Sequence, residues 1–180
     1  MEHFTDIEIL LLMLLRSEGS LSGYELNRIV EERGYRKKIN IATSSIYATL
    51  QKLKKKELVS SRIGEKKSEK GPLPKEFTIL NRGKELLTEE IQQIIASADE
   101  RSTRFEIGLT AMSALTKGEL LYALRKRKEL LIKKQVEIKK EYVNSGGAEM
   151  NIAKRYLFKH QWGMIKFEIK FTTSLVEDIK

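Results

Sequence analysis

Hydroxyl and ammonium side chains crowd the middle of the chain, where they offer hydrogen-bond donors and positive charge to an anion. Thr43, Ser44 and Ser45 open a helical segment that continues through Tyr47 to Lys52. Hydroxyl groups in the first turn of a helix can donate to phosphates or base edges, and the helix N-terminus itself favours an anion. Lys52 stands where it can reach a phosphate. These residue types at this spacing predict an anion-binding helix.

Two of these features allow a second interpretation. One of the three hydroxyl residues is expected to be the N-cap of the helix, which leaves the other two for a ligand. The lysines that follow Lys52 at 54–56 either extend the cationic surface or are simply solvated.

A second cationic group precedes the segment KEFTIL. Lys66, Lys67 and Lys70 lie in the stretch GEKKSEKGPLP, which has glycines at both ends of its charged part and two prolines. This composition predicts the long tip of a β-hairpin. A cationic tip can lie along a nucleic-acid backbone or in a minor groove, where it adds affinity and salt dependence but little base specificity.

The net charge of +9 is concentrated in one part of the chain. Residues 1–35 carry −4, residues 36–75 carry +9 and residues 76–180 carry +4. A basic block on one small structural unit indicates a nucleic-acid partner. The alternative is a lysine-rich surface that is only solvated.

The residue inventory argues against an enzyme. The chain has no cysteine, and its two histidines, His3 and His160, belong to no metal-binding or catalytic motif. We therefore expect no catalytic residue, no cofactor and no metal site. The apolar run at 7–15 is too short to span a membrane, and its N-terminal flank is acidic, so we expect a cytoplasmic protein.

Three capping boxes mark helix starts, TDIE at 5–8, SGYE at 22–25 and TKGE at 116–119. The first helix is apolar almost all round, so it is expected to be buried and to stop near Gly19. The second is expected to end at Gly34, a natural left-handed cap. Its inward-facing positions are predicted to be Tyr24, Leu26, Ile29 and Val30.

A third helix is predicted over about 43–57, and two strands are predicted in LVSSRI and KEFTIL. Three helices followed by a β-hairpin is the order of a winged helix, a helix-turn-helix variant. The predicted fold class is therefore mainly α. Residues 1–80 form an N-terminal winged helix-turn-helix with a two-stranded wing, and residues 81–180 form an all-helical C-terminal domain. The last helix, from about Ala148, is apolar on more than one face and needs two partners.

The order of these motifs resembles the PadR family of bacterial transcriptional regulators. The matching pieces are LSGYEL in the second helix, SSIYATLQKL in the third, ELVSSR at the start of the wing and KEFTILNRGKELL at its return strand and exit helix. The resemblance covers about residues 5–90. Where the family often has prolines, before the serine pair and after the tyrosine, this chain has Thr43 and Ala48.

The resemblance implies a homodimeric repressor that binds an inverted repeat in a double-stranded DNA operator and is released by a small molecule. Carried over residue by residue, Ser44, Ser45 and Tyr47 are expected to contact DNA, with Thr43 beside them. Tyr24 matches a position in the helix-turn-helix core, where its ring packs or its hydroxyl reaches a phosphate. The alternative function is a winged helix that binds an acidic protein or RNA.

The last helix also carries an aromatic cluster, which consists of Tyr156, Phe158, Trp162, Phe167 and Phe171. The indole of Trp162, the only tryptophan, offers a flat face and one donor that suit a planar ligand. Aromatic residues on a terminal helix that is apolar on two faces are normally the core of a dimer, and the pattern favours that interpretation. The alternative is a small aromatic effector bound near Trp162, at or beside the dimer interface, with Tyr156, Phe158 and Phe167 as the other candidate effector residues.

Overall fold

The computed structural model describes residues 3–38, 41–64, 74–98 and 103–179. The described chain is mainly helical with one small antiparallel sheet. The α-helices are α1 (Asp6–Glu18), α2 (Gly23–Glu32), α3 (Tyr35–Lys38), α4 (Thr43–Lys55), α5 (Asn81–Ala96), α6 (Thr103–Thr110), α7 (Lys117–Asn144) and α8 (Ile152–Ile179). The strands are β1 (Leu21–Ser22), β2 (Val59–Ile63) and β3 (Lys75–Ile79). Short 3-10 helices at Met112–Ala114 and Gly147–Glu149 precede α7 and α8.

The chain divides into two compact units, Met1–Ile91 and Gln92–Lys180. The division falls within α5. The predicted domain limits of 1–80 and 81–180 stay a prediction.

All three predicted capping boxes are present, and they begin α1, α2 and α7. In each box the glutamate accepts from the backbone N–H of the cap residue, at 2.8, 2.8 and 2.7 Å. Gly19 and Gly34, where the first two helices were expected to stop, have φ of +87° and +68°. These short-range signals are readable in the sequence because both partners lie within one turn of the chain.

The core of the first unit surrounds α1. Residues 8–15 are buried, so this helix contacts protein on all sides, as predicted. It packs against α4 and β3. The residues that α4 contributes are Ile46, Leu50 and Leu53, each 0 % exposed.

The sheet has the order β1-β3-β2, with β3 in the middle. Ser61 of β2 and Leu21 of β1 both lie opposite Phe77, and both pairings are antiparallel. The Gly64 N–H donates to the Pro74 carbonyl at 2.8 Å and closes the described end of the hairpin. The predicted fold class is thereby confirmed. The strand β1 was not predicted, because two residues are too few to show an alternating pattern.

The predicted inward position of Tyr24 is wrong, since its side chain is 70 % exposed. The buried residues of α2 are Gly23, Leu26 and Val30, which follow one another at steps of three and four. Tyr24 is one position away from this stripe, so the helix turns it by about 100° towards solvent.

The second unit is built on α7 and α8, which pack against each other. Leu131 and Ile138 of α7 and Ile165 of α8 form its buried apolar cluster. Arg127 is 0 % exposed, and its guanidinium donates to the Glu168 carboxylate at 2.7 Å.

The guanidinium of Arg127 also donates to the Ser97 carbonyl and lies 3.7 Å from the centre of the Phe105 ring. A buried cation is tolerated when an anion, a carbonyl and an aromatic face replace its water.

Gly83, in the first turn of α5, lies against the residue that precedes the wing. A Cβ at position 83 would lie 2.4 Å from the Leu58 carbonyl oxygen. That oxygen accepts the Leu80 N–H at 2.9 Å, so it cannot withdraw without breaking a hydrogen bond.

We expect Gly83→Ala to lower the free energy of unfolding by about 1–3 kcal/mol, measured by urea titration.

Gly118→Ala is the matched control, because Gly118 also lies in the first turn of a helix. A Cβ there meets no atom within 4 Å. This variant is expected to be neutral or to gain up to ~1 kcal/mol from helix propensity. Equal unfolding free energies for the two variants would contradict the close approach at Gly83.

Candidate nucleic-acid interface

The helix α4 has one buried face and one exposed face. Opposite its buried residues, the exposed stripe consists of Ser44, Ala48, Gln51 and Lys55. These positions are i, i+4, i+7 and i+11, which place them along one line of the helix. Of the four, Ser44 was predicted from the sequence as a contact, and Gln51 was missed. The signal for Gln51 was its spacing from Ser44, which becomes meaningful once the buried face is known.

The N-terminus of α4 differs from the expectation that a hydroxyl residue caps it. The N-cap is Ala42, which makes no side-chain capping hydrogen bond. The Ser45 N–H donates to the Ala42 carbonyl at 3.0 Å instead. Ser44 is exposed and Ser45 is half-buried. Thr43 is the first residue of the helix, and its side chain lies outside what the structure describes.

Arg36 belongs to the basic block of the sequence, and it connects α2, α3 and the entrance to α4. Its guanidinium donates to Glu31 and to Asn27, at 2.6 Å each, and also to the Ile41 carbonyl. Part of the excess positive charge is thus used inside the protein, where it fixes the point at which α4 begins.

Tyr47 lies at the contact between α4 and α2. It is 47 % exposed, and a Cβ at Gly23 would lie 2.4 Å from the Cε1 atom of its ring. Glycine at position 23 is therefore what lets the ring lie on the N-terminus of α2. Tyr24 follows directly and is largely exposed, so both predicted tyrosine contacts have their hydroxyl-bearing rings accessible from outside.

Lys52 is engaged inside the first unit. Its Nζ lies 3.2 Å from Oε1 of Glu8, and the Nζ of Lys56 lies 3.4 Å from the same oxygen. The Glu8 side chain is 1 % exposed, whereas that of Lys52 is 53 % exposed. From the sequence, Glu8 was recognised only as part of a capping box, since nothing local links it to a residue as distant along the chain as Lys52.

Glu8 carries a full negative charge at neutral pH. Burial by itself would raise the pKa of its carboxyl group. The hydrogen bonds from Thr5 and Lys52 and the charge of Lys56 outweigh burial, so its pKa lies below the ordinary value. Both lysines therefore face a charged partner.

The wing is described at its base only. Lys66, Lys67 and Lys70 lie outside the described residues. At the base, Arg62 of β2 pairs with Glu76 of β3 at 3.3 Å, and Arg62 remains 65 % exposed. Ile63, the last residue of β2, is 71 % exposed. Neither residue was selected from the sequence, because both were counted as parts of a strand.

The structure separates the aromatic residues of α8 into two groups. Tyr156 and Phe167 are each 61 % exposed, and the Phe167 ring stacks on Phe171 at 6.2 Å. Phe158 and Trp162 instead pack against the apolar cluster of the second unit. The four predicted effector residues therefore do not form a single site.

A cavity of about 400 Å³ lies between α7 and α8. Four apolar or aromatic side chains line it, and they are Ile138, Tyr142, Phe158 and Trp162. The other lining residues are all cationic, and they are Lys139, Arg155 and Lys159. The Nε of Arg155 is buried and has no hydrogen-bond partner in the described part of the chain.

Metal-binding clusters and membrane-spanning helices are both absent from the residues that the structure describes. These residues contain no group of three or more histidine, cysteine, aspartate or glutamate side chains that could hold a metal ion. Among the described helices, none is long and apolar enough to cross a membrane.

Three helices, a hairpin and an exposed stripe on the third long helix define the winged helix-turn-helix class. Residues 11–89 match the model of the transcriptional regulator PadR-like family. Over these residues, which are a little under half of the chain, the protein is similar to a family that is described as transcriptional regulators.

Several solved structures are similar to the chain. A PadR family transcription regulator from Clostridium difficile R20291 is 26 % identical, with 49 % of this chain and 86 % of that chain covered and a TM-score of 0.42. Bacillus subtilis PadR with operator DNA is 18 % identical, with 98 % and 100 % covered and a TM-score of 0.43. The same protein with p-coumaric acid is also 18 % identical, with 97 % and 99 % covered and a TM-score of 0.42. No curated protein matches the chain.

Proposed function

We propose that the chain is a sequence-specific DNA-binding repressor that binds an inverted repeat as a homodimer and is released by a small aromatic molecule. The observation that carries the DNA-binding part is the exposed stripe of α4, in a fold whose third long helix enters the major groove. Such a repressor acts on the chromosome and therefore in the cytoplasm.

The stripe has the chemistry of base readout. Ser44 and Ala48 are short, so the helix can approach the base edges closely. Gln51 carries an amide that can pair with adenine through both of its polar atoms, and the Ala48 methyl can contact a thymine methyl. Lys55 and the lysines of the wing supply charge for phosphates, which position the protein without reading sequence.

The first experiment is a gel shift with DNA from upstream of the chain's own gene, supported by selection from a randomised duplex pool. A Lys66→Ala/Lys67→Ala/Lys70→Ala variant should weaken binding to all duplexes about equally. A plot of the logarithm of the binding constant against the logarithm of the salt concentration has a slope, called here the salt slope. Its magnitude should fall by about one for each phosphate that the variant no longer neutralises. Gln51→Ala should change the preferred sequence and leave the slope unaltered.

Lys126→Ala/Lys133→Ala/Lys140→Ala removes the same charge from exposed positions of α7 and serves as the matched control. It should keep the salt slope of the wild type. If the wing variant changed sequence preference and kept its salt slope, the assigned roles of wing and helix would be reversed.

Dimerisation is supported by the outer face of α8. Ile152, Tyr156 and Phe167 are 64 %, 61 % and 61 % exposed. They lie on one side of the helix, opposite Ile165, which faces α7 and is fully buried. Gly163 lies on the same outer side and leaves room for a close backbone approach. A second copy would cover this apolar stripe, and a two-fold dimer matches an inverted repeat.

Sedimentation at micromolar protein concentration should find a dimer. Phe167→Glu places a charge within the outer stripe and should shift the equilibrium to the monomer. Tyr122→Glu makes the same kind of change at an exposed aromatic residue of α7 and should leave the dimer intact. A wild-type monomer, with or without DNA, would refute the proposed assembly.

The cavity between α7 and α8 is the proposed effector site. Its aromatic walls suit a planar ring, and its three cations suit a negative charge on that ring. An aromatic carboxylate combines both features, and the p-coumaric acid bound in the Bacillus subtilis structure is a compound of this class. Occupation of the cavity would alter the packing of α7 on α8 and bias the dimer against its DNA-bound state.

Trp162 reports on this cavity directly, because it is the only tryptophan. Titration with aromatic carboxylates should quench its fluorescence at the concentrations that release DNA, whereas the corresponding uncharged amides should act more weakly. Lys159→Gln should weaken the response to the acids. DNA release without a change at Trp162, or a full response from Trp162→Phe, would place the sensor elsewhere.

A further inference from the structure

Both oxygens of the Glu8 carboxylate accept hydrogen bonds. The donors are the neighbouring Thr5 and two lysines that lie far from Glu8 along the chain. Its Oε2 accepts the Thr5 N–H at 2.8 Å and the Thr5 hydroxyl at 2.9 Å. Its Oε1 accepts from Lys52 and Lys56 of the α4 segment. The capping box at the start of α1 is therefore also the anchor of two cations next to the exposed stripe of α4.

The two lysines differ in what they can reach. The side chain of Lys56 is 22 % exposed, while that of Lys52 is 53 % exposed. An ammonium group has three donors, and one bond to Glu8 leaves donors of Lys52 that face solvent. Lys52 lies on the flank of α4, next to the line of Ser44, Ala48 and Gln51. In a helix that enters the major groove, this flank passes the phosphate backbone.

We propose that Glu8 is a positioning residue for DNA recognition, which holds Lys52 as a fixed clamp for one backbone phosphate. The proposal rests on the DNA-binding function proposed above and deepens it. Phosphate contacts set the register of a protein on the duplex, so a clamp held from inside the fold fixes where Gln51 meets the bases. Glu8 itself does not touch DNA.

The alternative roles of Glu8 make different predictions. A purely structural carboxylate would affect stability and leave Lys52 irrelevant to its effect. A carboxylate that competes with DNA for Lys52 would weaken all binding, and its removal would tighten all binding. A positioning carboxylate matters for the specific complex, in which register counts, and little for non-specific contacts, in which a mobile lysine serves equally well.

The test is a double-mutant cycle of Glu8→Gln and Lys52→Gln, read by fluorescence anisotropy. The probes are the duplex preferred in the selection and a scrambled duplex of equal length. Glutamine at position 8 can keep the capping box while removing the charge. Lys52→Gln should lower the salt slope by about one. Glu8→Gln should weaken the preferred duplex about five- to tenfold and leave the scrambled duplex within about twofold. In the Lys52→Gln background this effect should vanish.

Two further variants keep the test decisive. Glu8→Asp retains the charge, but its shorter side chain moves the carboxylate away from Lys52. It should therefore give an intermediate loss of affinity for the preferred duplex. This variant keeps the test usable even if Glu8→Gln unfolds. Glu119→Gln makes the same change in the capping box of α7 and should leave both affinities unaltered. Thermal unfolding of each variant identifies any loss of fold.

The proposal is overturned if Glu8→Gln keeps its effect in the Lys52→Gln background, or if Lys52→Gln leaves the salt slope intact. Tighter binding of both duplexes by Glu8→Gln would show competition and also overturn it. A wild-type protein that prefers no duplex would refute the DNA-binding function itself, which is a separate result.

Discussion

The enclosure of α1 is the constraint on which the winged helix depends. A helix that is apolar on all sides is stable in water only when other elements cover it completely. Here α4 and β3 both pack on it, so α4 and the wing are positioned against the same buried helix. Each fully buried leucine contributes about 1.5–3 kcal/mol. The same burial that stabilises the unit therefore fixes the angle between the two elements that are proposed to meet DNA.

Some charged residues of the first unit make contacts inside the fold, and others face solvent. Arg36 and Glu8 make internal contacts that set the start and the flank of α4. Arg62 is exposed but pairs with Glu76, whereas the exposed Lys55 faces solvent. A basic block in a sequence is consequently not equal to a basic surface, because part of it neutralises carboxylates. A DNA phosphate would meet only the cations on the surface. The internal hydrogen bonds and ion pairs hold the elements that carry these cations in position.

The second unit differs from the first in how the faces of its helices are covered. Its two long helices cover each other along one face, yet α8 has apolar residues on the opposite face as well. Between the helices, large rings and long cations fail to fill the space and leave a cavity. The proposed assembly surface rests on the outer face of α8, and the proposed small-molecule site rests on the cavity.

The sequence by itself determined the helix starts, the burial of α1, the hairpin and the similarity to the PadR-like family, because capping boxes, periodicity and motif order are local properties of the chain. The orientation of Tyr24, the cap at Ala42 and the strand β1 depended on which face each neighbour covers. The ion pairs of Glu8 with Lys52 and Lys56, and the split of the α8 aromatics into two groups, were decided by tertiary structure alone. Their partners lie far apart along the chain, and only the packing of one helix on another brings such atoms within hydrogen-bond distance.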